Sequence, residues 1–222
     1  MTRLVVAAVA AVVLLAGCGG GAGSGKATLW VTRDEGKQVL LVRTVPAGET
    51  AMQALDRSVK LSTRYGGRFV QSIDGVSGSI GSRHDWFYFV NGIEADRGAA
   101  EYRLHPGDVE WWDYRDWGKV GQSVPVAVGA FPEPFLHGYG GKVRPAVVIG
   151  TASAGARALG RLLHAHVATS APSGANVFRL VGGPHRFTAQ LLSDGGVELD
   201  FSGDAAALAR DPALYRYRYS VP

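Results

Sequence analysis

The stretch Trp86-Phe-Tyr-Phe-Val-Asn-Gly92 decides the fold, because it predicts a strand that is apolar on both faces. Side chains alternate along a strand, so Trp86, Tyr88 and Val90 point to one side of a sheet and the two phenylalanines between them to the other. Residues 108–114 (DVEWWDY) repeat this pattern. A sheet with one covering helix buries only one face, so the other face needs a second covering. A ligand, a partner protein or the second half of the chain could supply it, and we expect the second half.

Alternating hydrophobicity and turn signals place five strands and one helix in the first half of the chain. The predicted strands are residues 28–33, 38–45, 68–74, 86–91 and 108–114, and the predicted helix is 51–60. Thr50 and Gln53 are spaced as a capping box at the start of that helix. The order strand, strand, helix, strand, strand, strand is that of a β-grasp sheet, in which one helix covers one face.

The second half begins after Trp117-Gly118 with an irregular arm rich in proline and glycine. Beyond the arm we predict strands at 146–150, 176–181, 186–192 and 197–202 and helices at 153–166 and 204–210. The predicted fold class is therefore α+β, a β-grasp-like mixed sheet with one covering helix followed by a second small α+β unit. The predicted segments are a signal peptide at 1–17, a flexible tether at 18–26, the β-grasp domain at 27–118 and the α+β domain with its arm at 119–222.

The chain holds one cysteine, Cys18, directly after an apolar run. Leu15-Ala-Gly-Cys18 resembles a bacterial lipobox, in which the peptide is cut before the cysteine and its thiol is acylated. Arg3 supplies the positive charge of a secretory signal, and an apolar run of about 13 residues is too short to span a bilayer. An ordinary signal peptide or a short membrane anchor also fits the pattern. The lipobox predicts a protein held by a lipid on Cys18 at the extracytoplasmic face of the cell membrane.

Composition narrows the function further. Acylation of Cys18 would leave no thiol for catalysis, a disulfide or a metal site. The net charge of +4 is spread along the sequence, without a run of five basic residues. A nucleic-acid-binding protein concentrates such charge on one face, so we predict no nucleic-acid partner.

Motifs that carry catalytic or metal chemistry are weak in this sequence. His164 and His166 are two residues apart on a predicted helix, so their side chains diverge and do not share a metal ion easily. Gly138-Tyr-Gly-Gly-Lys142 lacks the serine or threonine that follows the lysine of a P-loop. Asp108 and Glu110 share one face of a predicted strand, which fits a glycosidase pair but is also common on solvated faces. We therefore predict no enzyme activity, no metal site and no resident cofactor.

Four short motifs in the first half occur in a recognisable order. They are Gly48-Glu-Thr50, Ser72-Ile-Asp-Gly75, Trp86-Phe-Tyr-Phe-Val-Asn-Gly92 and Tyr102-Arg-Leu-His-Pro-Gly-Asp108. In this order and spacing they resemble the C-terminal domain of transcobalamin and intrinsic factor, and the resemblance covers about residues 28–117. It implies a β-grasp domain that binds a soluble ligand, and the eukaryotic members of that family close over a corrinoid. His84 and His105 are then the candidates for an axial ligand to a corrinoid cobalt.

Aromatic density marks the candidate ligand-binding residues. Planar apolar ligands are recognised by aromatic side chains beside a few polar groups, although core packing accounts for part of such a set. The predicted ligand-binding residues are Trp86, Phe87, Phe89, Asn91, Trp112, Tyr114 and Trp117. We predict a membrane-anchored lipoprotein that captures a small molecule, with a corrinoid or cobalamin-like cofactor as the candidate, for a vitamin uptake transporter. The alternative is a structural or protein-interaction lipoprotein of the cell envelope without a small-molecule pocket.

Overall fold

The computed structural model describes residues 25–222 of the chain. Cys18, the predicted signal peptide and most of the predicted tether lie outside the described residues, so the lipid anchor stays a prediction. No helix within residues 25–222 has the length and apolar character that crossing a membrane requires. The described chain contains three β-sheets and four α-helices, a mixed architecture that confirms the predicted α+β class.

The first half contains the predicted mixed sheet. Its elements are β1 (Lys26–Arg33), β2 (Gln38–Pro46), α1 (Ala51–Asp56), β3 (Leu61–Arg64), β4 (Phe69–Ile73), β5 (Val76–Ser77), β6 (His84–Val90), β7 (Ile93–Glu94), β8 (Val109–Asp116) and α2 (Trp117–Val120). The main sheet has the order β2-β1-β8-β6-β7. Strand β1 runs parallel to β8, and the other neighbours are antiparallel. A central parallel pair between antiparallel edges is the arrangement expected of a β-grasp sheet.

Strand β4 lies outside the main sheet, although the sequence predicted one sheet for the first half. It pairs with β3 and β5 in a separate three-stranded sheet. Strands β3, β5 and β7 were not predicted, because two to four residues are too few to show an alternating pattern.

Helix α1 begins where the sequence predicts. The Thr50 hydroxyl accepts from the Gln53 amide at 3.2 Å, and the Gln53 side chain accepts from the Thr50 amide at 2.9 Å, so the capping box is confirmed. The helix ends at Asp56 instead of continuing to residue 60. Just beyond, the Ser58 hydroxyl donates to the Ala54 carbonyl at 2.8 Å, a local bond that competes with the helical ladder.

The first hydrophobic core lies between α1 and one face of the main sheet. Met52 and Leu55 of the helix pack there with Trp86, Val90 and Trp112 of the sheet. The alternation in β6 therefore places Trp86 and Val90 on a common face, as predicted.

The opposite face of the main sheet is covered by the second half of the chain, as expected from its apolar character. Trp30, Phe89 and Trp111 are buried there against Ala127 and Tyr219. The covering segments are the arm and the C-terminal residues around 217–219, and not the second sheet itself. A face that could have served as an open aromatic platform is thus part of the interior.

The second half forms a five-stranded sheet with two helices. After a 3-10 turn at Val128–Ala130, its elements are β9 (Ala146–Ile149), α3 (Ala154–Leu162), β10 (His166–Ala168), β11 (Asn176–Leu180), β12 (Arg186–Leu191), β13 (Val197–Ser202) and α4 (Ala205–Arg210). The order is β10-β9-β11-β13-β12, and only β12 is antiparallel to its neighbour.

Helix α3 is shorter than the predicted helix 153–166, because a Schellman motif ends it. His164 adopts a left-handed φ of 53°. The Ala165 amide then donates to the Gly160 carbonyl at 2.8 Å, the six-to-one bond of that motif. The chain turns there and continues as β10, so His164 lies in the turn and His166 on a strand, and neither histidine is on the predicted helix.

A buried polar network joins the two halves. The Tyr219 hydroxyl donates to Asp113 Oδ2 at 2.8 Å and accepts from Arg115 Nη1 at 3.3 Å. Arg115 Nη2 also donates to Glu94 Oε1 at 2.8 Å, and its guanidinium lies 3.8 Å from the centroid of the Phe87 ring. Burial, with the Asp113 charge beside it, raises the pKa of Tyr219, so the hydroxyl stays protonated and available as a donor.

The same carboxylate also fixes the turn between β1 and β2. Asp113 accepts from the backbone amides of Glu35 and Gly36, each at 3.1 Å. Gly36 has a φ of 76°, and a Cβ atom there would lie 1.7 Å from the Tyr217 carbonyl oxygen. The C-terminal segment therefore packs directly on this turn, which only glycine permits.

Replacing Tyr219 by phenylalanine is expected to destabilise the protein. Tyr219→Phe keeps the ring but removes the donor to Asp113 and the acceptor for Arg115. Asp113 and Arg115 are fully buried, so water cannot replace the lost partner. We expect the free energy of unfolding, measured by urea titration, to fall by about 1–3 kcal/mol. Tyr65→Phe, at an exposed position, is the matched control and should change little. Equal stability of the two variants would show that the network does not tie the halves together.

Candidate functional site

The predicted site residues Phe89 and Asn91 are fully buried. The Asn91 side-chain amide donates to Asp108 Oδ1 and to the Gly138 carbonyl, each at 2.8 Å. Its side-chain oxygen accepts from the Val109 amide at 2.7 Å. Asn91 thus holds the β6–β7 turn to β8 and to the arm, and its polar atoms are occupied by protein partners.

The remaining predicted residues separate into two groups. Trp86, Phe87 and Trp112 line one cleft, described below. Tyr114 is buried, and its hydroxyl donates to the Ser77 carbonyl at 2.9 Å. Trp117 begins α2 and does not line that cleft. The structure therefore brings three of the seven predicted residues to one surface depression.

That depression, here called the aromatic cleft, lies beside β6 and has a volume of about 400 Å³. Besides the three aromatic residues its walls include Arg68, Phe69, Val70, Asp85, Tyr88, Glu94, Ala95, Gly98, Ala99 and Gln122. The Tyr88 and Trp112 rings stack at 4.8 Å between centroids and form its inner wall. Burial raises the pKa of Asp85 at the rim, although its carboxylate accepts from the Trp86 amide.

A buried acid lies behind the inner wall of the aromatic cleft. Glu110 is fully buried, and its Oε1 accepts from Trp112 Nε1 at 2.6 Å. Its Oε2 has no hydrogen-bond partner among the described residues. Burial, and to a smaller extent the charge of Asp108, raise the pKa of Glu110 well above its usual range. Glu110 therefore supports Trp112 from inside the core and does not face solvent.

A second cleft, here called the interdomain cleft, lies between the two halves and has a volume of about 390 Å³. The first half contributes Ile93, Glu94, Asp96 and Arg97, the arm contributes Pro134, Gly138, Tyr139, Gly140, Lys142 and Arg144, and the second sheet contributes Asn176, Leu191 and Gly195. Clefts between structural units are preferred positions for ligands. None of the predicted site residues lines it.

The glycine-rich turn of the arm shapes one wall of the interdomain cleft. Gly138 has a φ of 71°, and a Cβ atom there would lie 2.0 Å from the Lys142 carbonyl oxygen. Tyr139 and Lys142 exchange backbone hydrogen bonds of 3.1 Å in each direction. Residues 138–142 are rich in glycine and end in lysine. Only the structure shows that this turn faces a cleft.

The interdomain cleft has an excess of positive charge. Arg97 binds Asp96 through two hydrogen bonds of 2.8 and 3.2 Å, which lower the pKa of that carboxyl. Tyr139 donates to the same carboxyl at 2.6 Å, and burial together with Asp96 raises the pKa of Tyr139 to about 12. Glu94 is bound to Arg115, as described above. The acidic residues of the cleft are thus neutralised by arginines.

Two further cations remain at the rim. Arg144 Nη1 donates to the Gly174 carbonyl at 2.9 Å. Within residues 25–222 neither Lys142 nor Arg144 forms an ion pair with a carboxylate. The cation over the Tyr139 ring is Arg97, 5.8 Å from the ring centroid, while Lys142 and Arg144 line the same cleft.

Among the histidines and acids that the sequence points to, His105 Nδ1 lies 3.5 Å from Asp108 Oδ2, which is a pair and not a cluster. Across the described part of the chain, no three His, Cys, Asp or Glu side chains are grouped as a metal site. Asp108 is fully buried and accepts from Asn91, from Tyr102 at 3.3 Å and from the His105 amide at 2.8 Å. Glu110 is equally buried. Neither carboxyl is placed to meet a substrate.

Comparisons with known proteins cover part of the chain. Residues 48–116, under half of the chain, match the family described as "Domain of unknown function (DUF4430)". The chain is similar to the crystal structure of a proposed metal binding protein from Ruminococcus gnavus ATCC 29149, at 15% identity over 41% of this chain and 96% of the other, with a TM-score of 0.34. It is also similar to haptocorrin crystallised with Cbi, at 15% identity over 41% of this chain, with a TM-score of 0.33. The chain spans only 26% of that haptocorrin. No curated protein matches the sequence.

The buried acid predicts a pH-dependent stability. Glu110 has an ordinary pKa of 4.5 in the unfolded chain and a raised pKa in the folded protein. The contribution of Glu110 to the free energy of unfolding is therefore complete below about pH 4.5, and it is lost as the pH rises through the pKa of the folded protein. Glu110→Gln keeps an acceptor for Trp112 without an ionisable group. We expect its free energy of unfolding to equal that of the wild type near pH 4 and to exceed it by about 1–3 kcal/mol near pH 8.

Urea titrations at several pH values check this expectation. Glu101→Gln, at an exposed position, is the matched control and should show no growing advantage with pH. A constant difference between Glu110→Gln and the wild type across this range would mean that Glu110 is ionised in the folded protein.

Proposed function

We propose that the protein binds a small anionic molecule in the interdomain cleft. The observation that carries the proposal is the convergence of Tyr139, Lys142 and Arg144 on a depression whose own acids are neutralised by arginines. A cation beside an aromatic ring suits a ligand that is anionic at one end and apolar at the other. A volume of about 390 Å³ lies in the lower part of the range for small-molecule pockets.

Apolar contacts complete this proposed binding site. Ile93 from β7, Pro134 from the arm and Leu191 from β12 line the same cleft. Because its walls come from both halves, a bound molecule would contact the β-grasp part and the second sheet together. Such a ligand would also stabilise the folded protein by mass action.

The proposed setting is the extracytoplasmic face of the cell membrane. The lipobox-like tetrad ending at Cys18 supports a lipid anchor there. A tethered protein that captures a small molecule fits delivery to an uptake transporter. A corrinoid is the specific candidate that the sequence resemblance over about residues 28–117 supports. A corrinoid is larger than the cleft, so only an anionic side arm, such as the phosphodiester of a cobalamin, would enter between Lys142 and Arg144.

The test uses the full chain purified from its bacterial host. Native mass spectrometry would reveal a retained small molecule, and calorimetry with cyanocobalamin and with dicyanocobinamide, which lacks the phosphodiester, would test the corrinoid form. We expect Lys142→Glu to weaken binding of the retained molecule by about tenfold or more, because one charge-assisted contact becomes repulsive. Lys60→Glu, an exposed lysine outside the cleft, is the control with the same charge change.

The outcomes separate the general proposal from its corrinoid form. A retained anionic molecule whose binding falls in Lys142→Glu alone supports the proposal, whatever its identity. Equal affinity for cyanocobalamin and dicyanocobinamide would show that the phosphodiester does not contribute to binding. If the protein retains no small molecule and binds neither corrinoid, the interdomain cleft is not a ligand site.

A second candidate function is protein interaction without a small-molecule pocket. It is favoured by the burial of Trp30, Phe89 and Trp111 under the second half, which removes one aromatic face of the sheet from ligand binding. On this alternative, Lys142→Glu and Lys60→Glu would behave alike in every ligand assay.

A further inference from the structure

A strongly basic segment lies between α1 and β5. Residues 57–73, here called the basic hairpin, contain β3 and β4 and carry four basic residues and no acidic one: Arg57, Lys60, Arg64 and Arg68. The whole chain carries +4, so the remaining residues sum to zero. Asp56 and Asp74 flank this segment directly, and the Asp74 carboxylate accepts from the Lys60 amide at 2.8 Å at its base.

Most of this charge is not neutralised by ion pairs. Arg57 pairs with Glu49 at 2.7 Å. Lys60, Arg64 and Arg68 form no ion pair within residues 25–222 and are exposed. The hairpin therefore presents three available cations to solvent.

The tip of the basic hairpin carries exposed aromatic rings. Tyr65 is 78% exposed and Phe69 is 39% exposed, and their rings meet edge to face at 6.2 Å. A Cβ atom built on Gly66 or Gly67 would meet nothing within 4 Å, so the tip projects into open space. Tyr65 also has a φ of 53°, which is uncommon for a bulky residue. The core does not account for these rings, since Tyr65 contacts Phe69 and otherwise faces solvent.

We propose that the basic hairpin docks on the anionic surface of the membrane. Tyrosine and other aromatic side chains prefer the headgroup region of a bilayer, and lysine and arginine near an anionic surface are each attracted to it. Arg64, Arg68 and the Tyr65–Phe69 pair provide these two elements at one tip, and Lys60 adds a third exposed cation at the base of the hairpin. Charge complementarity thus selects an anionic bilayer as the partner.

The short segment between Cys18 and β1 makes even a weak contact sufficient to dock the basic hairpin on the bilayer. Part of the argument rests on the proposed function, because acylated Cys18 would hold the protein at the bilayer. Only residues 19–25 separate Cys18 from the start of β1, and seven residues reach at most about 25 Å. The hairpin would then act at a high effective concentration near the lipid surface.

Docking would also place a cleft at the membrane. Arg68 and Phe69 belong both to the basic hairpin and to the walls of the aromatic cleft. A hairpin seated on lipid headgroups would turn the mouth of that cleft toward the bilayer.

The test measures lipid contact at the hairpin in the full chain. Thr63→Cys, at an exposed position on β3, carries a fluorescent label. The labelled protein is mixed with vesicles of phosphatidylcholine, with or without phosphatidylglycerol. Nitroxide lipids in the vesicles quench the label on contact. Leu214→Cys is the matched site, 51% exposed and outside the hairpin. The wild type has no cysteine other than Cys18, so reacting it with the same label shows whether the Cys18 thiol is blocked by acylation. The charge variant combines Thr63→Cys with Arg64→Glu and Arg68→Glu.

We expect quenching at position 63 to be at least fivefold stronger than at position 214 when phosphatidylglycerol is present. Reversal of both arginines should reduce the lipid-contacting fraction of the label at least tenfold, since each cation contributes to the attraction. Protein that floats with the vesicles while positions 63 and 214 are quenched equally would overturn the hairpin proposal and leave the anchor standing. Equal quenching with and without phosphatidylglycerol would overturn the electrostatic contact. Protein that does not float with either vesicle would overturn both the hairpin and the anchor proposals.

Discussion

The burial of Arg115 between the two halves is the constraint on which the rest of the structure depends. A fully buried guanidinium is costly unless it is paired and hydrogen-bonded. Here Glu94 supplies the opposite charge, Tyr219 supplies an acceptor and the Phe87 ring lies against the guanidinium plane. These partners come from β7, the C-terminal segment and β6, so the hydrogen bond from Arg115 Nη1 forms only when the second half has closed over the sheet, while Arg115 Nε has no hydrogen-bond partner among the described residues.

Closure of the sheet determines where ligands can bind. The face that carries Trp30, Phe89 and Trp111 is filled by the arm and by Tyr219, and the opposite face is filled by α1. The depressions that remain include the aromatic cleft beside β6 and the interdomain cleft beside β7. Glu94 lines both clefts while it binds Arg115. The contact that closes the protein therefore also shapes both of these clefts.

The sequence predicted the sheet well because its signals are local. The alternation in residues 86–90 and the capping box at Thr50 and Gln53 need only neighbouring residues, and both appear in the structure. The doubly apolar strands also predicted a second covering. The sequence could not place β4 in a separate sheet, because strand pairing depends on residues far apart in the chain.

The candidate site was less accessible from the sequence. Aromatic density marked Phe89 and Asn91, yet burial and hydrogen-bonding partners at 2.7–2.8 Å give them structural roles. The interdomain cleft was missed because Arg97 lies far from Lys142 and Arg144 in the sequence and lines the same cleft only after folding. The exposed aromatic tip of the basic hairpin was missed as well.

The central claim is that the two halves form one cooperative unit, since each half leaves apolar or charged groups uncovered without the other. Differential scanning calorimetry of the full chain tests it most directly. We predict a single transition whose calorimetric enthalpy equals its van't Hoff enthalpy, as for a two-state protein. Two resolved transitions, or a van't Hoff enthalpy near half of the calorimetric one, would show that the halves unfold independently and would contradict this account.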